Sequence, residues 1–266
     1  MSRARALAAA VAACAVVALR PGPPASGATA RSPASAEDRA VDSSLAITPF
    51  ITHGGHRRRD VALTFDDGPD AWTPRIVAEL RRLHAPATFF EIGSQVASHR
   101  RVTRRLADDG FPIGDHTETH PLLAHRDRGF QDRQLREAAR RIAAAGAPYP
   151  RLFRPPYGSF DAVTLSALVP LRMLMVLWSA DTDDWAKPGV RHIVDAALSG
   201  LRPGAIILMH DGGGDRHQTL AALPTIVRRL RARGYRLVSI PRMLAENPPP
   251  RHQPVGDGLG PAATAS

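Results

Sequence analysis

The side chains in this sequence best suited to chemistry are Asp66-Asp67, His116 and His120, Arg154 ahead of Pro155-Pro156, Asp184-Trp185, and His210-Asp211. His116 and His120 stand four apart, so a helical turn or a tight loop can bring both rings to one side. Asp67 adds a carboxylate, and two nitrogens plus one oxygen suit zinc while leaving positions open for water and substrate. Only neutral imidazole binds a metal, so affinity should fall in acid. Each cluster also has a plainer reading: Asp-Asp-Gly-Pro as a turn, Arg154 as a surface ion pair, Asp184 as a helix cap beside a core aromatic, His210-Asp211 as a loop pair. Adjacent side chains of a strand point to opposite faces, so Asp66 and Asp67 can serve one pocket only if the chain turns there, as Gly68-Pro69 suggests.

The elements that must position these residues alternate between apolar runs and amphipathic stretches. Strands are predicted over 61–65, 87–92, 111–114, 152–154, 172–179, 205–209 and 235–240, seven in all. Helices are predicted from 73, where Ile76, Val77, Leu80 and Leu83 share a face, and over about 94–110, 131–145, 161–169, 190–201 and 223–233. Repeated βα units of this kind build a parallel sheet, either a barrel or an open doubly wound sheet, and periodicity does not choose between them. No G-x-G-x-x-G follows the first strand, which counts against a nucleotide site. The polar clusters at 64–69, 116–121, 153–158, 181–185 and 208–211 each follow a predicted strand. In a barrel those ends share one face, where five segments can converge.

The 266 residues carry a formal charge of +10, nearly all of it arginine. No aromatic-studded basic stretch or nucleic-acid motif accompanies it, so no nucleic-acid partner is expected. Ser2–Arg5 hold two arginines, an apolar run follows over 6–19, and Ala28-Thr29-Ala30 offers a cleavage site. Residues 1–30 therefore read as a signal peptide and the protein as secreted to the cell envelope. Cys14, the one cysteine, lies inside that segment; Val11-Ala12-Ala13-Cys14 resembles a lipobox and offers a lipid-anchored alternative, against which the residues after it stay apolar. Residues 31–58 read as a flexible linker, 59–245 as one domain and 246–266 as a disordered tail, with Arg57-Arg58-Arg59 as a solvated lead-in to the domain. The histidines at 53, 56, 84, 99, 125, 192 and 217 have no motif context.

Taken together, the five clusters resemble the motifs of the polysaccharide deacetylases of carbohydrate esterase family four, a group of chitin, chito-oligosaccharide and peptidoglycan deacetylases and some acetylxylan esterases. The resemblance spans roughly residues 60–245, and Ala87-Thr88-Phe89-Phe90 and Gly234-Tyr235-Arg236 also look like the family's structural segments. It implies an α/β fold, a distorted (β/α) barrel forming a single catalytic domain. It assigns the metal, usually zinc with cobalt or another divalent ion accepted in some members, to Asp67, His116 and His120. By the same resemblance Asp66 would be the general base and His210 the general acid. Arg154 would orient Asp66, Asp184 would hold His210 protonated, the backbone N–H of Tyr157 would stabilise the oxyanion, and Trp185 and Leu208 would wall the acetyl pocket. The implied substrate is an acetylated polysaccharide or oligosaccharide, N-acetyl before O-acetyl, acted on by a monomer that could associate with an anionic cell wall. The contrary readings are a silent carbohydrate-binding protein on the same scaffold, which would be free to lose Asp66 or His210, an O-acetyl xylan esterase, and a phosphoesterase, for which more ligands would be needed.

Overall fold

The frame is set by seven consecutive buried residues, Asp60–Asp66, which form a strand with neighbours on both sides. In this computed structural model, which describes residues 36–256 and 259–262, the strands are β1 Phe50–Ile51, β2 Asp60–Asp66, β3 Ala87–Glu91, β4 Ile113–Asp115, β5 Leu152–Phe153, β6 Leu174–Val176, β7 Ala180–Asp181, β8 Ala205–His210 and β9 Arg236–Leu237. All nine belong to one parallel sheet of order β1-β6-β5-β4-β3-β2-β8-β7, with β9 pairing the start of β2. The α-helices are α1 Ala36–Leu45, α2 Thr73–Arg82, α3 Gly93–Ser98, α4 Arg100–Asp108, α5 Arg128–Ala144, α6 Ala162–Leu168, α7 Val190–Ser199, α8 His217–Ala232 and α9 Ile240–Glu246.

The sheet is a distorted barrel. β6 lies one strand from one end of the order and β7 at the other end, yet only residues 177–179 separate them. The sheet must therefore curl until its ends nearly meet: Leu177 N donates to Ile51 O on one side, and Ser179 N to Ile206 O on the other. The seam is bridged further by Gly54 N donating to Gly204 O and by a short antiparallel contact of His53 with Ala205. Alternation along β2 then sorts its side chains. Val61, Leu63 and Phe65 pack outward with Ile76, Leu80, Ile226 and Leu230 of α2 and α8. Ala62 faces the interior with Ile206, Phe90 and Val176.

Several expected boundaries move. The run 172–179 is not one strand but β6 and β7, because the chain hands over from one sheet edge to the other within it. The stretch 94–110 is two helices broken at His99, whose φ of −125° and ψ of 34° interrupt the helical path. The final strand stops at Leu237; Ser239 Oγ then accepts from Arg242 N and, with Pro241 in the first turn, starts α9. Residues 31–58 were expected to be a linker, but from Ala36 they carry α1 and β1. Ala40 and Val41 of α1 bury against Ile240, Met243 and Leu244 of α9 in the interior core. The tail expected over 246–266 is also ordered in part, since Asn247 and Gln253 are buried and hydrogen-bonded. The segment 1–30, with Cys14, lies outside the described residues.

Candidate active site

Strand register decides which side chains meet. Asp66 pairs with His210 across β2 and β8, Glu91 with Asp115 across β3 and β4, and Asp115 with Phe153 across β4 and β5. The residues that follow each strand, Asp67, His116 and Arg154, are thereby delivered to one mouth of the barrel. Asp67 makes the required turn itself, with φ of 75°, and His120, Tyr157 and Asp183 also have positive φ. Non-glycine residues rarely adopt that region, and such backbone gathers where a fold holds side chains for function.

Asp67 Oδ1 lies 3.1 Å from His120 Nε2 and 3.5 Å from His116 Nε2, and Asp66 Oδ2 lies 3.8 Å from His116 Nε2. Asp67, His116 and His120 are the one group of this kind among the described residues, with ligand atoms within 4.8 Å of one another. The far nitrogens are engaged elsewhere: His116 Nδ1 donates to Arg154 O at 2.7 Å, and His120 Nδ1 lies 3.1 Å from Tyr157 Oη. A neutral His116 that donates from Nδ1 carries a bare lone pair on Nε2. Asp67 Oδ1 is buried and accepts no hydrogen bond. Electron pairs facing one another without a proton between them call for a cation, and the N2O donor set with outer hydrogen bonds fits a divalent metal.

Arg154 is fully buried and uses its whole fork: Nη1 donates to Asp66 Oδ1 and to Thr64 Oγ1, both at 2.8 Å, Nε to Val176 O at 3.0 Å and Nη2 to Leu177 O at 3.1 Å. Its guanidinium also sits 4.2 Å from the centre of the Phe90 ring. Arg154 is thus no surface ion pair; it fixes the carboxylate of Asp66. On the opposite side His210 Nδ1 lies 2.7 Å from Asp184 Oδ1, while the His210 N–H and Thr219 Oγ1 donate to Asp184 Oδ2 at 2.9 and 2.7 Å. Burial disfavours the His210 charge, but Asp184, with Asp67 and Asp66 behind it, pushes the ring up from 6.5 to about 9. Burial likewise works to raise Asp184, and the His210 charge and these hydrogen bonds bring it below its ordinary value. Asp211 turns away from the pocket: burial pushes it up to about 8, and it accepts from Thr73 Oγ1 of α2 at 2.5 Å.

These groups line a cavity of about 860 Å3 that also receives Tyr157, Trp185 and Leu208. All ten residues singled out by sequence either line this cavity or hold one that does. The sequence reading missed Trp178, Ser179, Asp181, Arg216 and, least expectedly, Pro254, Val255, Gly256 and Leu259. Asp181 belongs to the polar cluster at 181–185. Trp178, an aromatic at the end of an apolar run, was the other available signal.

Comparison with known proteins shows the family. The sequence model of the polysaccharide deacetylase family matches residues 53–176. The chain is 38% identical over 210 residues to a chitooligosaccharide deacetylase of Rhizobium leguminosarum bv. trifolii, covering 74% of this chain and 97% of that protein. It is 36% identical over 187 residues to a peptidoglycan-N-acetylglucosamine deacetylase of Bacillus cereus, covering 69% and 87%. Among solved structures, a peptidoglycan N-acetylglucosamine deacetylase superposes with a TM-score of 0.72 at 32% identity, over 76% of this chain and 95% of that one.

Proposed function

We propose, from the premise that this chain belongs to the polysaccharide deacetylase family, that it hydrolyses N-acetyl groups on a cell-wall or related glycan such as peptidoglycan or chitin oligomers. Members of this family are metal-dependent, and this chain has an Asp/His/His group suited to a metal. The single observation that carries the reading is the flanking of that group by a fixed carboxylate, Asp66, on one side and a charged imidazole, His210, on the other. A carboxylate fixed by Arg154 and an imidazole backed by Asp184, facing one site, are the pair that a base and an acid need.

In this reading Asp67, His116 and His120 hold the ion, and zinc is our choice from the donor set. A divalent ion there supplies Lewis-acid chemistry, making water acidic enough to lose a proton near neutral pH and drawing charge from the acetyl carbonyl. Asp66, locked by Arg154, takes the proton of the attacking water. His210 gives its proton to the sugar nitrogen as the C–N bond breaks, releasing acetate and a free amine, and Asp184 keeps that ring charged and aimed. The Tyr157 backbone N–H serves the oxyanion. Leu208 and Trp185 bound the space for the acetyl methyl. We further infer export directed by residues 1–30, action as a monomer, and attraction of the basic chain to an anionic cell wall.

The test is acetate release from N-acetylglucosamine oligomers and from peptidoglycan before chelation, after chelation and dialysis, and after added zinc or cobalt. Loss and recovery of release are expected. Release that survives a strong chelator would overturn the metal assignment, and glycan binding with no release in any state would make this a silent binding protein.

A further inference from the structure

The residues after α9 read as a disordered tail, yet they form a wall of the catalytic cavity. Gln253 is 6% exposed, and its amide is fully used. Oε1 accepts from Thr52 N at 2.8 Å, Thr52 Oγ1 at 3.1 Å and His53 N at 3.3 Å, while Nε2 donates to Pro250 O at 3.0 Å and His53 O at 3.4 Å. A buried amide with every group satisfied fixes the backbone that carries it. This latch sits just past β1, beside the seam. The second pin is Leu259, which packs into the cluster of Trp178 and Phe160. Gly158 makes that approach possible, because a Cβ there would come within 2.3 Å of Leu259 Cδ2 and 3.2 Å of Trp178 Cη2. Between and at these pins, Pro254, Val255, Gly256 and Leu259 line the same cavity as Asp67, His116 and His120.

We propose that residues 253–256 and 259 are substrate-selecting residues: they close the seam side of the cleft, so that a glycan strand cannot cross the site there. The inference rests on the deacetylase reading above and narrows it. The accepted substrate is a short N-acetylated oligosaccharide or a chain end, and acetyl groups in the interior of a long polymer are disfavoured. The cleft has a volume of about 860 Å3, within the range of small-molecule sites, and this anchored segment forms part of its wall. The wall acts through shape alone, because Pro254, Val255, Gly256 and Leu259 carry no group that could take part in proton transfer.

The experiment uses the full chain loaded with metal and compares kcat/KM per acetyl group on an N-acetylglucosamine tetramer and on a soluble polymer of the same repeat. The double variant Gln253→Ala, Leu259→Ser releases both pins; its polymer-to-tetramer ratio should rise at least fivefold. Val255→Trp adds bulk on a side chain that is 42% exposed and outside the core, and it should cost the tetramer at least threefold more than the disaccharide. Thermal melting of each variant shows that the barrel is intact. A polymer-to-tetramer ratio that stays the same in a folded double variant, together with no length-dependent loss in Val255→Trp, would overturn the proposal while leaving the deacetylase reading standing. No acetate from any substrate with any variant or the parent would instead overturn that reading, and this one with it.

Discussion

Arg154 and His116 are joined by a hydrogen bond of 2.7 Å from the imidazole Nδ1 to the arginine's own carbonyl oxygen, while the arginine side chain grips Asp66. One residue thus orients both the metal-facing nitrogen and the neighbouring carboxylate, the first through its backbone and the second through its guanidinium. In the proposed mechanism proton transfer and metal binding would therefore be mechanically coupled at this point, although different side chains would perform them.

Replacing Arg154 with alanine should therefore do more than lower turnover. Asp66 would be left buried without its counter-charge, and breaking such a pair costs about 3–5 kcal/mol. Thermal or urea unfolding of Arg154→Ala should show a loss of that order, with acetate release down at least a hundredfold. A variant as stable as the parent would contradict the role of this buried guanidinium and its four hydrogen bonds.

Asp66 and His120 should separate chemistry from binding. Asp66→Asn keeps the shape and loses the base, so one equivalent of zinc should still bind while turnover falls by about 10²–10⁴-fold, the range of general-base catalysis. His120→Ala should lose both metal and turnover. Metal analysis of the dialysed variants decides the matter, and equal metal loss in the two would refute the division of labour.

The pH dependence follows from His210. Its folded value of about 9 exceeds the ordinary 6.5, so its stabilising interaction is full below about pH 6.5 and is lost as pH rises through about 9. The protonated ring is also the acid form, so kcat/KM should decline on the alkaline side. Asp184→Asn removes the principal neighbouring charge and should move that limb towards neutrality. A divalent ion nearby opposes the shift, so the value for His210 itself is best read by NMR titration of chelated protein. An unmoved His210 titration in Asp184→Asn would disprove the assignment of cause.

Gly212 offers a test of how tightly the metal-facing loop is seated. A Cβ on this residue would lie 2.2 Å from the carbonyl oxygen of Asp67 and 2.8 Å from Gly68 N, both backbone atoms that cannot swing aside. Gly212→Ala should cost about 1–3 kcal/mol of stability, as overpacking does, and weaken zinc binding at least tenfold by displacing Asp67. Calorimetric titration of zinc into the variant provides the measurement, and parent-like affinity would show the loop to be pliant.

The candidate constellation was legible because five polar clusters each follow a predicted strand and together resemble the motifs of one family; the roles of Asp66, Arg154, Asp184 and His210 came from that resemblance. Barrel curvature was not. Met173–Leu177 are all buried, so nothing in the apolar composition of the run 172–179 marks the handover between β6 and β7. β5 and β9 span two residues each and are too short to show a period. Helix α1 hides for a different reason. Of its hydrophobic residues only Ala40 and Val41 are buried, and α9, nearly 200 residues later in the chain, supplies the surface that buries them. The turn at Asp67 was anticipated, but Gly68-Pro69 was credited with it, whereas the positive φ belongs to Asp67 itself. Gln253 carried no local signal, since its partners are the backbone and hydroxyl of residues 200 positions away.

The crossing at 177–179 acts as a ruler. Its three residues must span from one sheet edge to the other and deliver Asp181 opposite Leu208 in register. Adding or deleting one residue would turn the following side chains to the wrong face and carry Asp184 away from His210. Loops around the mouth can be lengthened or pruned to reshape what enters, but this segment leaves no room for insertion or deletion without breaking the register on either side.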